Sequence, residues 1–510
     1  MRHFKTILTH EFQNQIKSFK FTLVLAITLM VTVFCVYIQV QDFADRKEQY
    51  NQQIERKQDM LQRARVFSEF GIPIVIKPNP LSIFAKGYEE KLGNEITISW
   101  RNLPEFSRFD FMRKSKDTVG SNEKNPYLNI FTEFDVTRIV IIILSILTVF
   151  VAAPAISGER ENKTLQLLYT NPVGRVEFFL AKYLGNLITL SIPLVFVFVS
   201  AAAMVALQPF IQVEPDFFLR VLLMMIGCLL FISVFTLLAL IISTATSSSS
   251  RSLTYGLLVW MLLVFVYPNA LQYTVEKNME IPSLSRLEKK KSELYDAFAQ
   301  AKDKFYQNHP LNKDRSYTIH KGGQFFTTFI GVTQKYVFKH KRKELKALLP
   351  ELFEMQNKLM RAVDRYRSKL TQRQKLVDQL SLPLPNHLLE QTGTKLANTN
   401  RYARDIDIRN QARRFRGQVL DYIRSKDGFG YKFFTQTEPI HMTNDMEDYP
   451  DKYFQLSYYR KDYPRLDLQD RPKFTYKEPF QFPVEIFFLI GLNLLLIVLG
   501  SHLFSGSKVI

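Results

Sequence analysis

The stretch ISGERENKTLQLLYTNPVGRVEFFLAKY, Ile156 to Tyr183, decides how this chain is read. It is a charged turn followed by a short amphipathic segment, set between two long apolar runs. Upstream lies RIVIIILSILTVFVAAPAIS (Arg138–Ser157), and downstream YLGNLITLSIPLVFVFVSAAAMVAL (Tyr183–Leu207). Each run is nearly free of charge and long enough to cross roughly 30 Å of hydrocarbon at 1.5 Å per residue. A short polar connection between two such spans sits at one membrane face. If that face is cytoplasmic, a soluble partner can push on it.

Working outward, the 510 residues hold six apolar runs: Phe21–Val40, Arg138–Ser157, Tyr183–Leu207, Leu219–Thr244, Ser252–Ala270 and Pro483–Phe504. A mean hydropathy of −0.08 hides them, because long polar stretches alternate with the runs. The first run is expected to be a retained span rather than a cleaved signal. It is about 20 apolar residues long, and no small-x-small site precedes QDFADRKEQ. The two cysteines, Cys35 and Cys228, both fall inside predicted spans, so no disulfide framework holds the polar parts together.

Charge sets the expected topology. The N-terminal stretch MRHFKTILTHEFQNQIKSFK repeats Phe4, Ile7, Leu8, Phe12, Ile16 and Phe19 at helical spacing, with Arg2, Lys5, Lys17 and Lys20 between them. It is expected to lie along the membrane surface and turn into the first span. Its basic residues place the N-terminus inside by the positive-inside bias. Arg160, Lys163, Arg175, Lys182, Arg251 and Lys508 agree, and the connection Gln208–Phe218 offers Glu214 and Asp216 but no Lys or Arg. Both termini are thus expected in the cytoplasm, with residues 41–137 and 271–482 outside. The net charge of +19 is concentrated in Leu271–Phe482, with 40 Lys and Arg against 26 Asp and Glu. This fits a solvated helical surface near anionic headgroups. Nucleic acid is not expected as a partner, since no recognition motif accompanies the charge.

The two outer segments read as mostly helical. From Asp42 to Phe70 no Gly or Pro intervenes, and Phe43, Tyr50, Ile54, Leu61 and Ala64 share a stripe, so the first span is expected to continue outward. The pieces IPIVIK and EITISW read as short strands. Ser283–Gln307 reads as a helix ended by Pro310. A longer helix is expected from about Pro350 to Leu380, with Pro350 in its first turn and Pro383 and Pro385 stopping it. A further Arg-rich helix is expected over Asn398–Arg424, and beyond Gly428 loops and edge strands.

The fold class expected is therefore mainly α: a polytopic membrane protein with six transmembrane helices and a mostly helical extracytoplasmic domain with a small β part. The expected divisions are 1–40 (amphipathic leader and first span), 41–137 (first insertion), 138–270 (transmembrane core with an element at 158–182), 271–482 (second insertion) and 483–510 (last span and tail).

Within NPYLNIFTEFDVTRIVIIILSILTVFVAAPAISGERENKTLQLLYTNPVGRVEFFLAKYLGNLITLSIPL the chain resembles the permease subunits of type-2 ATP-binding-cassette (ABC-2) exporters. The positions carrying the likeness are Ser157, Gly158, Glu159, Glu161, Thr164, Leu165, Asn171, Pro172, Ala181 and Lys182. KPNPLSIFAKGYEEKLG (Lys77–Gly93) and PLPNHLLEQTGTKLANTNRYARDIDIRNQARRFRGQVLDYI (Pro383–Ile423) resemble a subgroup with two long outer insertions. That subgroup includes relatives of the permease used in nitrous oxide reductase maturation. The resemblance implies a multi-pass protein of the bacterial inner membrane, paired with a second copy or a related permease. It implies that separate cytoplasmic ATPase subunits bind ATP and Mg. The ATPase-coupling element would comprise Gly158, Glu159, Arg160, Glu161, Thr164, Leu165, Leu168, Asn171 and Pro172. Its charges would pair with the moving ATPase, Leu165, Leu168 and Tyr169 would fill a groove, and Pro172 would fix the exit.

No catalytic, cofactor-binding or metal-ligating residues are expected in this chain. GxxxxGK[ST] is absent, so ATP must be hydrolysed by another polypeptide. His441, Met442 and Met446 could be soft metal ligands, but a structural loop accounts for them better. Asp405, Asp407 and Glu390 sit among arginines and read as ion pairs on a solvated face. The spans hold almost no ionisable residue, Glu485 and His502 being interfacial, and no wide polar stripe. Pro193 and Gly227 permit a kink or a close helix approach. A hydrophobic or amphipathic exported cargo is therefore the leading expectation. The alternative is a mechanotransmitter that conveys ATPase motion to an extracytoplasmic protein.

Overall fold

The computed structural model describes residues 2–64, 66–89, 94–101, 103–104, 134–165, 174–211, 215–310, 335–433, 466–479 and 481–506. Six helices in it are long and apolar enough to cross a membrane, and they coincide with the six apolar runs. In chain order the elements are α1 (Arg2–Lys17), α2 (Phe19–Arg63), β1 (Gly71–Val75), β2 (Glu95–Ser99) and α3 (Val136–Glu161). They continue with α4 (Arg175–Ala206), α5 (Phe217–Ala245), α6 (Ser249–Asn278), α7 (Leu284–Asn308) and α8 (Lys335–Leu380). The last three are α9 (Pro385–Leu396), α10 (Ile408–Ser425) and α11 (Glu485–Gly506).

The spans α2, α3, α4, α5, α6 and α11 form one bundle, in which α3 and α5 are the most enclosed and α6 the least. Single π-turns interrupt α3 at Val140–Leu144 and α6 at Leu262–Val266. The main core joins apolar side chains of α2 to α6 with Leu81, Ile83 and Phe84 from the first insertion and Leu389 and Leu396 from the second. A separate apolar cluster at one end of the bundle gathers Ile156, Leu165, Phe178, Phe179, Tyr183, Leu240 and Phe504.

As read from the sequence, α2 runs without a break from the turn at Ser18 to Arg63. Its 45 residues reach about 68 Å, twice a bilayer core. Its far end packs on an antiparallel pair, with Ile72 opposite Ile98 and Ile74 opposite Ile96. Leu61, these isoleucines and Trp100 share a core with Phe298, Leu348, Leu352, Phe415, Val419 and Phe433. Residues of both insertions thus build one apolar core. Helix α7, which contributes Phe298, is capped by Ser283, whose hydroxyl accepts from Arg286 N.

The second insertion departs from expectation in three places. The helix α8 begins at Lys335, so Pro350 lies in its interior. The missing amide is offset by Leu345, Leu348 and Leu352, which bury the flanking turns in the second core. After α8 the prolines do not simply stop a helix, because Pro385 opens a new one, α9, whose Leu388, Leu389 and Leu396 are buried. The expected helix over Asn398–Arg424 instead starts after a left-handed turn at Asn398, passes through a π-turn at Tyr402–Asp407 and runs on as α10. The strands anticipated beyond Gly428 fall mostly outside the described residues.

Candidate functional site

The elements meet in two polar assemblies, one at each end of the bundle. At the end where α3, α5 and α11 finish and α4 and α6 begin lies the 158–165 stretch. Helix α3 ends at Glu161, and a left-handed turn at Lys163 redirects the chain. Every charged side chain of Gly158–Glu161 grips a different neighbour.

Glu159 accepts from Lys182 Nζ of α4 at 2.7 Å and from Thr164 Oγ1 at 2.7 Å. Arg160 donates to the carbonyl oxygens of Thr244 and Thr246 at 3.0 and 2.6 Å, capping the C-terminal end of α5 where the helix dipole is negative. Glu161 accepts from Ser249 N at 2.9 Å, at the dipole-positive start of α6. Behind them, Ser243 Oγ of α5 accepts from both Ile156 N and Ser157 N, and Ser252 Oγ of α6 donates to Ala153 O. Gly158 permits this closeness, since a Cβ there would lie 3.2 Å from Ser249 Oγ. The buried Leu165 anchors the stretch in the end cluster.

The Lys182 ammonium also donates to Glu11 Oε2 of α1 at 2.6 Å. Glu11, Lys182 and Asn186 are all buried. Gln15 holds Glu11 Oε1 at 3.0 Å and reaches Asn186 Oδ1 at 3.3 Å, and Gly185 leaves room for Glu11, whose Cγ would stand 2.8 Å from an added Cβ. Helix α1 is therefore fastened to α4 by a buried ion pair, beyond the amphipathic surface contact read from its sequence. The 158–165 stretch thus touches α4, α5 and α6 directly and α1 through Lys182. We call it the hub.

Of the residues singled out from sequence, the structure brings together Gly158, Glu159, Arg160, Glu161, Thr164, Leu165 and Lys182. Leu168, Tyr169, Asn171 and Pro172 lie outside the described residues, as do His441, Met442 and Met446. Glu161 to Thr164 and Gly174 to Glu177 are exposed and form the open surface of this end. Sequence reasoning passed over Glu11. Its signal was present: it is the single acid in the stretch and falls four after Ile7 and three after Leu8, on the apolar face.

The opposite assembly is a collar at the other end. Asp42 accepts from Arg46 at 3.0 Å and from Lys86 Nζ at 3.1 Å, and Glu89 pairs with Arg46 and Arg404 at 3.1 and 2.9 Å. The two stretches that carry the subgroup resemblance touch here. Asn79 Nδ2 donates to Ala397 O, Tyr88 N to Thr399 O, and Thr399 Oγ1 to Ala85 O. Gly87 is left-handed, with a Cβ position only 2.6 Å from Thr399 O. Helix α9 is seated among α5, α11 and the start of α3. Thr392 and Leu389 approach Gly227, while Lys395 pairs with Glu485 at 2.6 Å.

Asp405 is ion-paired, as expected, with Arg367 and Arg409, but it is buried rather than on a solvated face, because α8 covers it. Asp135, which caps α3, accepts from Lys86 N and Arg138 N at 2.8 Å each. Burial pushes its carboxyl up to about 6, against those two hydrogen bonds and the nearby Arg138 charge.

A family model described as "ABC-2 family transporter protein" matches residues 5–329, more than half of the chain. The probable ABC transporter permease protein NosY of Pseudomonas aeruginosa is 32% identical over 142 residues. That similarity takes in 28% of this chain and 51% of the relative, so the chain spans about half the length of the curated relative it matches.

Proposed function

The chain belongs to the ABC-2 transporter family, and from that premise we propose that it is a permease subunit. In this reading a separate cytoplasmic ATPase, which binds ATP and Mg, drives export of a hydrophobic or amphipathic substrate. The observation that carries the reading is the hub. A load applied to the exposed Glu161–Thr164 turn passes through Glu159, Arg160 and Glu161 into α4, α5 and α6, and through Lys182 into α1. The charges on the buried side of the turn are already engaged within the chain. They distribute force, while the exposed turn and residues 166–173 (Leu168, Asn171 and Pro172 among them) meet the ATPase.

The reading places the hub and both termini in the cytoplasm of a bacterium, and residues 41–137 and 271–482 outside its inner membrane. Two permeases pair. The sparse cover over α6, where Tyr255, Leu258, Met261 and Phe265 are exposed, supports pairing through that span. Family membership favours this reading over a mechanotransmitter acting on an outer protein.

The test is purification of the tagged chain from its native membrane in mild detergent. Retention of a nucleotide-binding ATPase is expected, and reversing charge at Glu161 and Lys163 should release it. A chain that purifies without any ATPase, under conditions that keep its helices folded, contradicts the proposal.

A further inference from the structure

Thr28, Thr32, Cys35, Gln39, Asp42 and Arg46 recur along α2 at alternating four- and three-residue intervals, and so share one face. Thr28 and Thr32 are wholly enclosed, and Cys35, Gln39 and Asp42 nearly so. This face is turned into the bundle, where α2 packs on α4 and α3. Leu23, Ile27, Met30, Val33, Phe34 and Tyr37 are exposed on the other faces. No wide polar stripe is expected in the spans from their sequence. The structure contains a narrow one, concealed inside the bundle.

The stripe is charged only at its collar end, where Asp42 and Arg46 join Lys86 and Glu89. From Thr28 to Gln39 it is uncharged over about 16 Å of helix. Gln39 Nε2 donates to Phe134 O. The hydroxyls of Thr28 and Thr32 have no hydrogen-bond partner among the described residues. Thr148, Thr189 and Thr236, equally buried, each return the hydroxyl to the carbonyl four residues earlier. Two enclosed hydroxyls left without a bond cost about 1–3 kcal/mol each, a cost removed when a bound molecule supplies the partner.

We propose that this face of α2 is a seam that opens to receive the uncharged, hydrogen-bonding head of an amphipathic cargo. The proposal rests on the permease reading with an amphipathic cargo. Hydroxyls and an amide offer donors and acceptors without net charge, which suits a hydroxyl, sugar or amide head. A phosphate would travel the uncharged stretch with no counter-charge, at the cost of burying an ion. The apolar flank of α2 faces outward and suits the chains of the same molecule.

The two native cysteines provide the test. Cys35 lies in the stripe, whereas Cys228 of α5 is buried among apolar side chains of the main core. Full-length protein in native membrane vesicles is treated with methanethiosulfonate ethylammonium, and modification of each cysteine is followed by mass spectrometry. Cys35 is expected to react at least about tenfold faster than Cys228, because each opening of the seam hydrates its thiol and the reagent consumes hydrated thiolate. Thr28→Val/Thr32→Val should slow Cys35 about tenfold, and Thr28→Ser/Thr32→Ser should leave it within about twofold. Dodecyl maltoside should protect Cys35, and dodecyl phosphate at the same concentration should not. Equal rates at the two cysteines, no effect of the valines, or equal protection by the two amphiphiles overturns the proposal. None of these arms uses an ATPase, so absence of that partner would sink the permease reading through a different result.

Discussion

Lys182 Nζ lies 2.6 Å from Glu11 Oε2 across 171 positions of sequence, and the same ammonium lies 2.7 Å from Glu159 Oε1. One buried cation thus holds α1, α4 and the end of α3 together. Removing it leaves the buried Glu11 carboxylate, and with it the partly exposed Glu159, without the cation both share. Lys182→Met should therefore destabilise the solubilised protein by about 3–5 kcal/mol, the usual cost of breaking a buried pair from one side. Glu11→Gln combined with Lys182→Met should recover part of that loss. Thermal unfolding of the two single variants and the double variant gives the coupling directly, and additive losses would contradict the pairing.

Gly500 of α11 is fixed by Phe179 of α4, whose Cζ would stand 2.5 Å from an added Cβ, with Ile241 Cγ1 at 3.1 Å. Phe179 is itself enclosed against Phe504. Gly500→Ala should cost about 1–3 kcal/mol through overpacking. Phe179→Leu in the same chain should restore much of it, read as recovery of the melting temperature. A Gly500→Ala variant as stable as the parent would mean that α11 is free to shift.

Asp135 supplies a pH dependence with a definite sign. Its folded-state value of about 6 lies above the ordinary 3.8. The stability it contributes is therefore present below the ordinary value and is lost as pH rises through about 6. A shift of this size corresponds to at most about 3 kcal/mol. Between pH 4 and pH 7 the parent should lose stability that Asp135→Asn does not lose. Parallel stability curves for the two proteins over that window would contradict the assignment.

Two buried arginines of the second insertion should respond oppositely to the same change. Arg404 pairs with Glu89, so Arg404→Met should cost about 2–4 kcal/mol by leaving that carboxylate less compensated. Arg416 donates to the amide of Gln356, and burial alone pushes its guanidinium down to about 10. No carboxylate pairs with it among the described residues. Arg416→Met should leave stability unchanged or higher, since burying an uncompensated charge is itself unfavourable. Denaturant or thermal unfolding distinguishes the pair.

The six spans were legible because each is a long apolar run, and the continuous α2 because nothing between Asp42 and Phe70 breaks a helix. The strands at Gly71–Val75 and Glu95–Ser99 were legible from alternation between turn residues. Helix α9 was not, because Pro383 and Pro385 together read as a stop, whereas Pro385 is the first residue of the new helix. The start of α8 was misplaced for the same reason, since Pro350 resembles a first turn. At the hub, the motif named Glu159 and Lys182 but not their mutual contact, nor Glu11. Ion pairs between distant segments follow from packing, which local spacing does not encode. The seam on α2 was legible in principle, because four-and-three spacing of Thr28, Thr32, Cys35 and Gln39 needs no structure to see. It is narrow and free of charge up to Asp42, so it stands out neither as a wide polar stripe nor through ionisable residues.

In the proposed topology the hub faces the compartment of the ATPase and the helical insertion faces the other side. Thr164→Cys and Arg365→Cys, each an exposed position, are to be treated in intact cells with a membrane-impermeant maleimide. Labelling is expected at position 365 in intact cells and at position 164 only after permeabilisation. Labelling at 164 in intact cells, with 365 protected until the membrane is opened, would contradict it.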